Sequence, residues 1–91
     1  MSSSDHIDFF WRPGCGFCMA LERRLTDANV PFAKFNIWEG SDHAAFVRSV
    51  ADGNETVPTL RIGEVSLVNP SLEQVLATMA TETPDLVPAA D

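Results

Sequence analysis

Between Trp11 and Cys15 the hydrophobic period of this chain switches from that of a strand to that of a helix, and further switches follow downstream. Residues 6–11, HIDFFW, are short, rich in aromatics and stopped by Pro13-Gly14, the pattern of a buried strand. From Cys15 the period lengthens: Cys18, Leu21, Leu25 and Ala28 fall on one helical stripe, and Asn29 and Pro31 end it. Residues 31–37, PFAKFNI, alternate as a second strand. A second helix is expected from Ser41 as N-cap, with Asp42 in its first turn and Gly53 or Asn54 as the left-handed residue that closes it. VPTLRI and VSLV then read as strands joined through Gly63-Glu64, a pair suited to a type II′ hairpin. Asn69-Pro70 is expected to cap a last helix whose apolar face is Leu72, Val75, Leu76 and Met79. The order β-α-β-α-β-β-α specifies an α/β fold: a mixed four-stranded sheet with helices on both faces, the first β-α-β parallel and the last two strands antiparallel. Residues 6–81 form one domain in this reading, with flexible ends at 1–5 and 82–91.

The only two cysteines stand at the first switch of period, in RPGCGFC. Three roles compete for a C-x-x-C pair. As a staple it closes a loop of two intervening residues, which constrains the unfolded chain far less than a long-range bridge. As a zinc site it supplies half of four ligands. His6 lies too far back along the first strand to complete such a site, and His6 and His43 both read as surface or edge residues. Redox exchange fits the local physics. Cys15 falls at the start of a helix, where unpaired N–H groups and the positive end of the dipole favour a thiolate. Lowering a cysteine pKa from ~8.5 to ~5.5 raises the thiolate fraction at neutral pH from about 3% to above 90%. Arg12, three residues upstream, adds positive charge if it turns towards the sulfur. Cys18 begins the apolar stripe and is expected to be the more sheltered of the two. An exposed, activated sulfur backed by a protected one is what a nucleophile and its resolving partner require.

Composition narrows the classes further. Six basic residues face thirteen acidic ones, a net charge of −7, so nucleic acid and anionic membranes are not expected partners. With 45% apolar residues in 91, the chain can bury a core without staples. The first residues have neither a basic lead nor an apolar run, and no later stretch could span a bilayer, so the cytoplasm is the expected address.

C-x-x-C after the first strand and Val57-Pro58 before the third together resemble the thioredoxin superfamily, and the glutaredoxin branch within it, over about residues 6–80. Thioredoxins proper carry C-G-P-C and a buried aspartate six residues before the first cysteine, where this chain has Phe9. Glutathione-using glutaredoxins carry C-P-Y-C and a glycine- and aspartate-rich segment after the hairpin that grips the γ-glutamyl end; here VNPSLEQ replaces it. The combination of CGFC, GNETVPT and NPS is similar to the mycoredoxins, which use the cysteinyl pseudodisaccharide mycothiol. Monothiol glutaredoxins that hold iron–sulfur clusters carry C-G-F-S, one residue away.

The resemblance implies a thioredoxin-like fold, Cys15 as nucleophile, Cys18 as resolving thiol and a cis Pro58, with the Val57 backbone pairing to substrate like an added strand. Phe17 would shape the substrate groove, Asn69 and Ser71 would meet the thiol's sugar, and Trp11 borders the active loop or belongs to the core. The implied activity is reduction of protein–mycothiol mixed disulfides by a monomer, with mycothiol preferred to glutathione as cosubstrate and no metal. A cluster-binding module and a thioredoxin-like reductant fed by a flavin reductase are the alternatives.

Overall fold

The computed structural model describes residues 5–88. The expectation of loose ends therefore lies outside the described residues for 1–4 and 89–91. Strand β1 (Ile7–Trp11), helix α1 (Gly16–Asp27), β2 (Phe32–Asn36), α2 (Ser41–Val50), β3 (Thr59–Ile62), β4 (Val65–Val68) and α3 (Leu72–Glu82) follow one another, then a 3-10 turn at Pro84–Leu86. The sheet order is β2-β1-β3-β4, with β1 parallel to β2 and antiparallel to β3, and β3 antiparallel to β4. This is the mixed four-stranded sheet that the order of periods implies.

Strand β1 is hydrogen-bonded on both sides and buried on both faces, which is why it reads as an almost unbroken apolar run. Its alternation divides the core. Ile7 and Phe9 join Cys15, Cys18, Leu21 and Leu25 of the α1 segment, Leu60 and Ile62 of β3, and Val75 and Met79 of α3. Phe10 points the other way and packs with Ile37, Ala44 and Val47 under α2. His43 lies against this second cluster, its ring centroid 5.1 Å from Phe35 and 6.1 Å from Phe10, and is half-buried. His6 sits beside Asp8, its Nδ1 3.5 Å from the carboxylate.

Helix α1 ends as its sequence suggests. Asn29 takes φ 61, its N–H donates to Thr26 O, and the Val30 N–H donates to Leu25 O, the reciprocal pattern of a Schellman ending. The buried Val30 then packs in the same cluster as Leu25. The hairpin also holds: Ile62 faces Val65, and Gly63 carries the positive φ of 60 that the turn needs. A Cβ on Gly63 would come within 3.0 Å of the Glu82 side chain, whose Oε1 accepts the Glu64 N–H.

Four local expectations shift. The N-cap of α2 is Gly40 and not Ser41: His43 and Ala44 N–H donate to the Gly40 carbonyl, and the His43 ring occupies the space where a Cβ at residue 40 would sit. The left-handed ending of the same helix begins at Asp52 (φ 55), one residue earlier than Gly53. The last helix is capped by Ser71 and not by Asn69-Pro70. Ser71 Oγ accepts the Gln74 N–H while Gln74 Oε1 accepts the Ser71 N–H, a capping box that satisfies two orphan donors at once. Finally, α3 runs to Glu82 and Leu86 packs against the main core, so the stretch after residue 81 carries structure that its polar, aperiodic sequence does not announce.

Leu60 is fully buried in the main core. Leu60→Ala should lower the unfolding free energy by about 2–5 kcal/mol. Arg23→Ala, on the exposed face of α1, should stay within about 0.5 kcal/mol. Urea denaturation of both variants against the parent checks the pair.

Candidate active site

Strand β1 ends at Trp11, and Arg12-Pro13-Gly14 carries the chain into α1 with Gly14 at φ 77. Cys15 is the N-cap of α1: its backbone is extended, and its Sγ accepts the Cys18 backbone N–H at 3.1 Å. The sulfur thus occupies the place where serine or aspartate oxygen usually receives an orphan helix donor. There is no acidic residue in the first turn to oppose negative charge there. Cys18 lies one turn on, on the stripe with Leu21 and Leu25, its Cα 5.2 Å from that of Cys15. The two sulfurs are joined as a disulfide.

The expected contrast in exposure is smaller than the sequence suggests. Cys15 is 6% exposed and Cys18 1%, so both are buried and Cys15 is not an open sulfur. The reason is tertiary. The loop before β3 lies over the pair, and Cys15 Sγ is 3.7 Å from the Val57 carbonyl oxygen. In the disulfide this is a packing contact, because the sulfur has no proton to donate. In the dithiol form an S–H at Cys15 can donate to that oxygen.

Val57-Pro58 is cis and immediately precedes β3, which begins at Thr59 and not at Val57. Pro58 is buried, and its carbonyl accepts the Asn69 N–H at 2.7 Å, closing the β3–β4 ladder beside the cysteines. Thr59, fully buried, donates its hydroxyl to Thr56 O and holds this loop against the strand.

The remaining candidates divide. Phe17, 72% exposed, stands between the cysteines on the outer face of the first turn. Asn69 is exposed at φ 50, with its backbone N–H on the Pro58 carbonyl. Ser71 is engaged by its capping box. Arg12 does not turn to the sulfur: its Nη1 donates to the Pro13 carbonyl at 3.1 Å and its guanidinium lies 5.7 Å from the Trp38 ring centroid. Trp11 is half-buried and packs against the main core, with Lys34 Nζ 4.4 Å from its ring centroid. Trp38 itself was not among the residues that the sequence pattern singles out. Its signal was position, because it follows the strand parallel to the one that delivers the cysteines. Among the described residues no group of three or more His, Cys, Asp or Glu is arranged to hold a metal ion. Nor is any described helix long and apolar enough to cross a membrane.

The glutaredoxin family model matches residues 7–67. Two provisionally named glutaredoxins of Mycobacterium tuberculosis, from strains CDC 1551 and H37Rv, are 38% identical over 66 residues, 71% of this chain and 79% of theirs. The chain belongs to the glutaredoxin family. Its fold is also that of solved relatives. A buckwheat glutaredoxin crystallised with glutathione superposes with a TM-score of 0.67 at 16% identity, covering 96% of this chain and 84% of the other. The NrdH-redoxin of Escherichia coli gives 0.60 at 24% identity, over 69% and 80% of the two chains. A thioredoxin-like protein, BC3987, gives 0.69 at 18% identity, over 80% and 97%. This glutaredoxin is therefore a thiol oxidoreductase of thioredoxin-like fold with its cysteine pair at residues 15 and 18.

Ser71→Ala removes a cap and should cost about 0.5–2 kcal/mol. At about 4–8 °C per kcal/mol for a domain of this size, calorimetry should register a lower Tm. Ser71→Asp, another good N-cap residue, should restore it.

Proposed function

We propose that this glutaredoxin reduces mixed disulfides between proteins and mycothiol, with Cys15 as nucleophile and Cys18 as resolving thiol. The observation that carries the division of labour is the N-cap bond. A thiolate at Cys15 accepts the Cys18 N–H and faces the helix dipole, while Cys18 lies deeper, among leucines. Charge-assisted acceptance of a backbone N–H stabilises the ionised form. Reduced Cys15 is therefore expected to ionise more readily than free cysteine and more readily than Cys18.

In the first step the Cys15 thiolate attacks the mycothiol sulfur of the mixed disulfide. A Cys15–mycothiol disulfide forms, and the protein thiolate leaves and takes a proton. A second mycothiol thiolate then attacks the adduct, giving mycothiol disulfide and regenerated Cys15 thiolate. In the dithiol route Cys18 attacks Cys15 Sγ instead, releases mycothiol and forms the Cys15–Cys18 disulfide present in the structure. Two further mycothiols reduce that bond. The monothiol route exchanges one mycothiol thiol for the protein thiol, and the dithiol route passes two electrons from two mycothiol thiols to the mixed disulfide.

Binding follows from what surrounds the sulfur. The Val57 backbone lies outside the sheet, beside Cys15, and offers its polar groups to an extended segment of substrate. Phe17 provides an exposed apolar wall for that segment, and the exposed Asn69, its backbone N–H held by the Pro58 carbonyl, leaves its side chain free for the sugar of the thiol. The preference for mycothiol rests on the 38% identity to mycobacterial glutaredoxins and on VNPSLEQ, where the charged grip on a γ-glutamyl group would otherwise stand.

Cys15→Ser should lose all turnover of a mycothiolated protein, and Cys18→Ser should keep a monothiol route. Active Cys15→Ser beside inactive Cys18→Ser would reverse the roles. In steady-state assays of one mixed disulfide, mycothiol should outperform both glutathione and a thioredoxin reductase as electron source. A higher rate with either of the others refutes the choice of thiol.

A further inference from the structure

The largest exposed apolar side chain that neither core nor cysteine loop accounts for is Trp38. It is 63% exposed and belongs to neither hydrophobic cluster. Yet it is held firmly. Its N–H donates to Asn36 Oδ1 at 2.9 Å, the Glu39 N–H donates to Asn36 O at 3.0 Å, and the neighbouring Ile37 N–H donates to Trp11 O at 2.9 Å. An Asx turn at the end of β2 thus fixes the Trp38 backbone while its indole stays largely in solvent, outside both cores.

Its placement is specific. β1 and β2 run parallel with Trp11 opposite Asn36, so Arg12 and Trp38 leave the same edge of the sheet. The Arg12 guanidinium lies 5.7 Å from the indole centroid, and its Nη1 is 4.0 Å from where a Cβ on Gly14 would be. Gly14 precedes Cys15, and three Cα steps separate Arg12 from the sulfur-bearing residue, at most ~11 Å along the chain. Indole and guanidinium thus lie at the edge of the sheet from which the cysteine loop departs.

We propose that Trp38 and Arg12 form a ledge for the carbohydrate of the low-molecular-weight thiol when its sulfur is on Cys15, making Trp38 a specificity-determining residue for a sugar-bearing thiol. This rests on the mycothiol reading above. A pyranose or cyclitol presents a face of C–H groups that covers an aromatic plane, and hydroxyls at its edge that accept hydrogen bonds. Arg12 has five N–H donors and gives one to Pro13, leaving others for those hydroxyls. A γ-glutamyl peptide brings charged ends and no such face. The Ser71 hydroxyl, by contrast, is already engaged by the Gln74 N–H in the capping box.

The test compares two mixed disulfides of one small thiol, 2-mercaptoethanol, with mycothiol and with N-acetylcysteine, on parent, Trp38→Ala, Trp38→Phe and Asn69→Ala enzymes. Trp38→Ala should raise KM for the mycothiol disulfide about three- to tenfold. It should leave the N-acetylcysteine disulfide within about twofold, and Trp38→Phe should recover most of the loss. In Cys18→Ser enzyme, loading mycothiol onto Cys15 should change indole fluorescence, and loading cysteine should not. Trp38→Phe should abolish that change, which separates Trp38 from Trp11. Equal losses with both disulfides, a loss confined to protein clients, or a selective loss in Asn69→Ala alone would each overturn the ledge. A parent enzyme without preference for mycothiol over glutathione sinks the proposed function instead. A parent with that preference and a Trp38→Ala variant that keeps it sink only the ledge.

Discussion

The pairing of β1 on both its edges is the constraint from which the site follows. Because β2 runs parallel to β1, its C-terminal end, with Trp38 just beyond, comes level with Arg12. Because β3 runs antiparallel, its first residues lie at that same edge, and Thr59 pairs with Phe10. Three segments far apart in sequence thereby meet where β1 ends: the cysteine loop, the Val57-Pro58 loop and the turn after β2. No residue of the site needs a special device to bring it there. The apolar character of β1 on both faces, which forces it to the centre of the sheet, does so.

Helix α1 makes the chemistry of that edge. Its stripe of Cys18, Leu21 and Leu25 docks on Ile7, Phe9, Leu60 and Ile62, and this packing fixes the direction of its axis. The Cys15 sulfur then serves as the cap of the helix. A serine oxygen in that place would satisfy the same donor but could neither ionise near neutral pH nor exchange disulfides. The same bond thus stabilises a helix start and aligns a reactive atom. Cys18 is held one turn on by an apolar stripe that is buried in the main core, at ~25 cal/mol per Å² of apolar area.

The elements and their order were legible because each carries its own period and its own punctuation: Pro13-Gly14, Asn29, Gly63. The misplaced caps were not. Ser41 is as good a cap residue as Ser71, and only the carbonyl of Gly40, reached once the His43 ring has packed on Phe10 and Phe35, decides where α2 starts. At α3 the expected cap is Asn69, but at φ 50 its N–H closes the ladder to Pro58, and Ser71, two residues on, takes the cap. Caps of similar local merit are separated by long-range hydrogen bonds that no window of sequence contains.

Local pattern determined that a cysteine pair stands at the junction of a strand and a helix, one sulfur at the cap and one on the apolar stripe, because helix periodicity and dipole are properties of contiguous residues. Tertiary structure alone decided how open that pair is and what surrounds it. The Val57 carbonyl against Cys15, the indole beside Arg12 and the engagement of Ser71 depend on which strand lies next to which. The physical reason is separation along the chain: Cys15 and Val57 are 42 positions apart in sequence, and strand pairing with core burial brings them into contact.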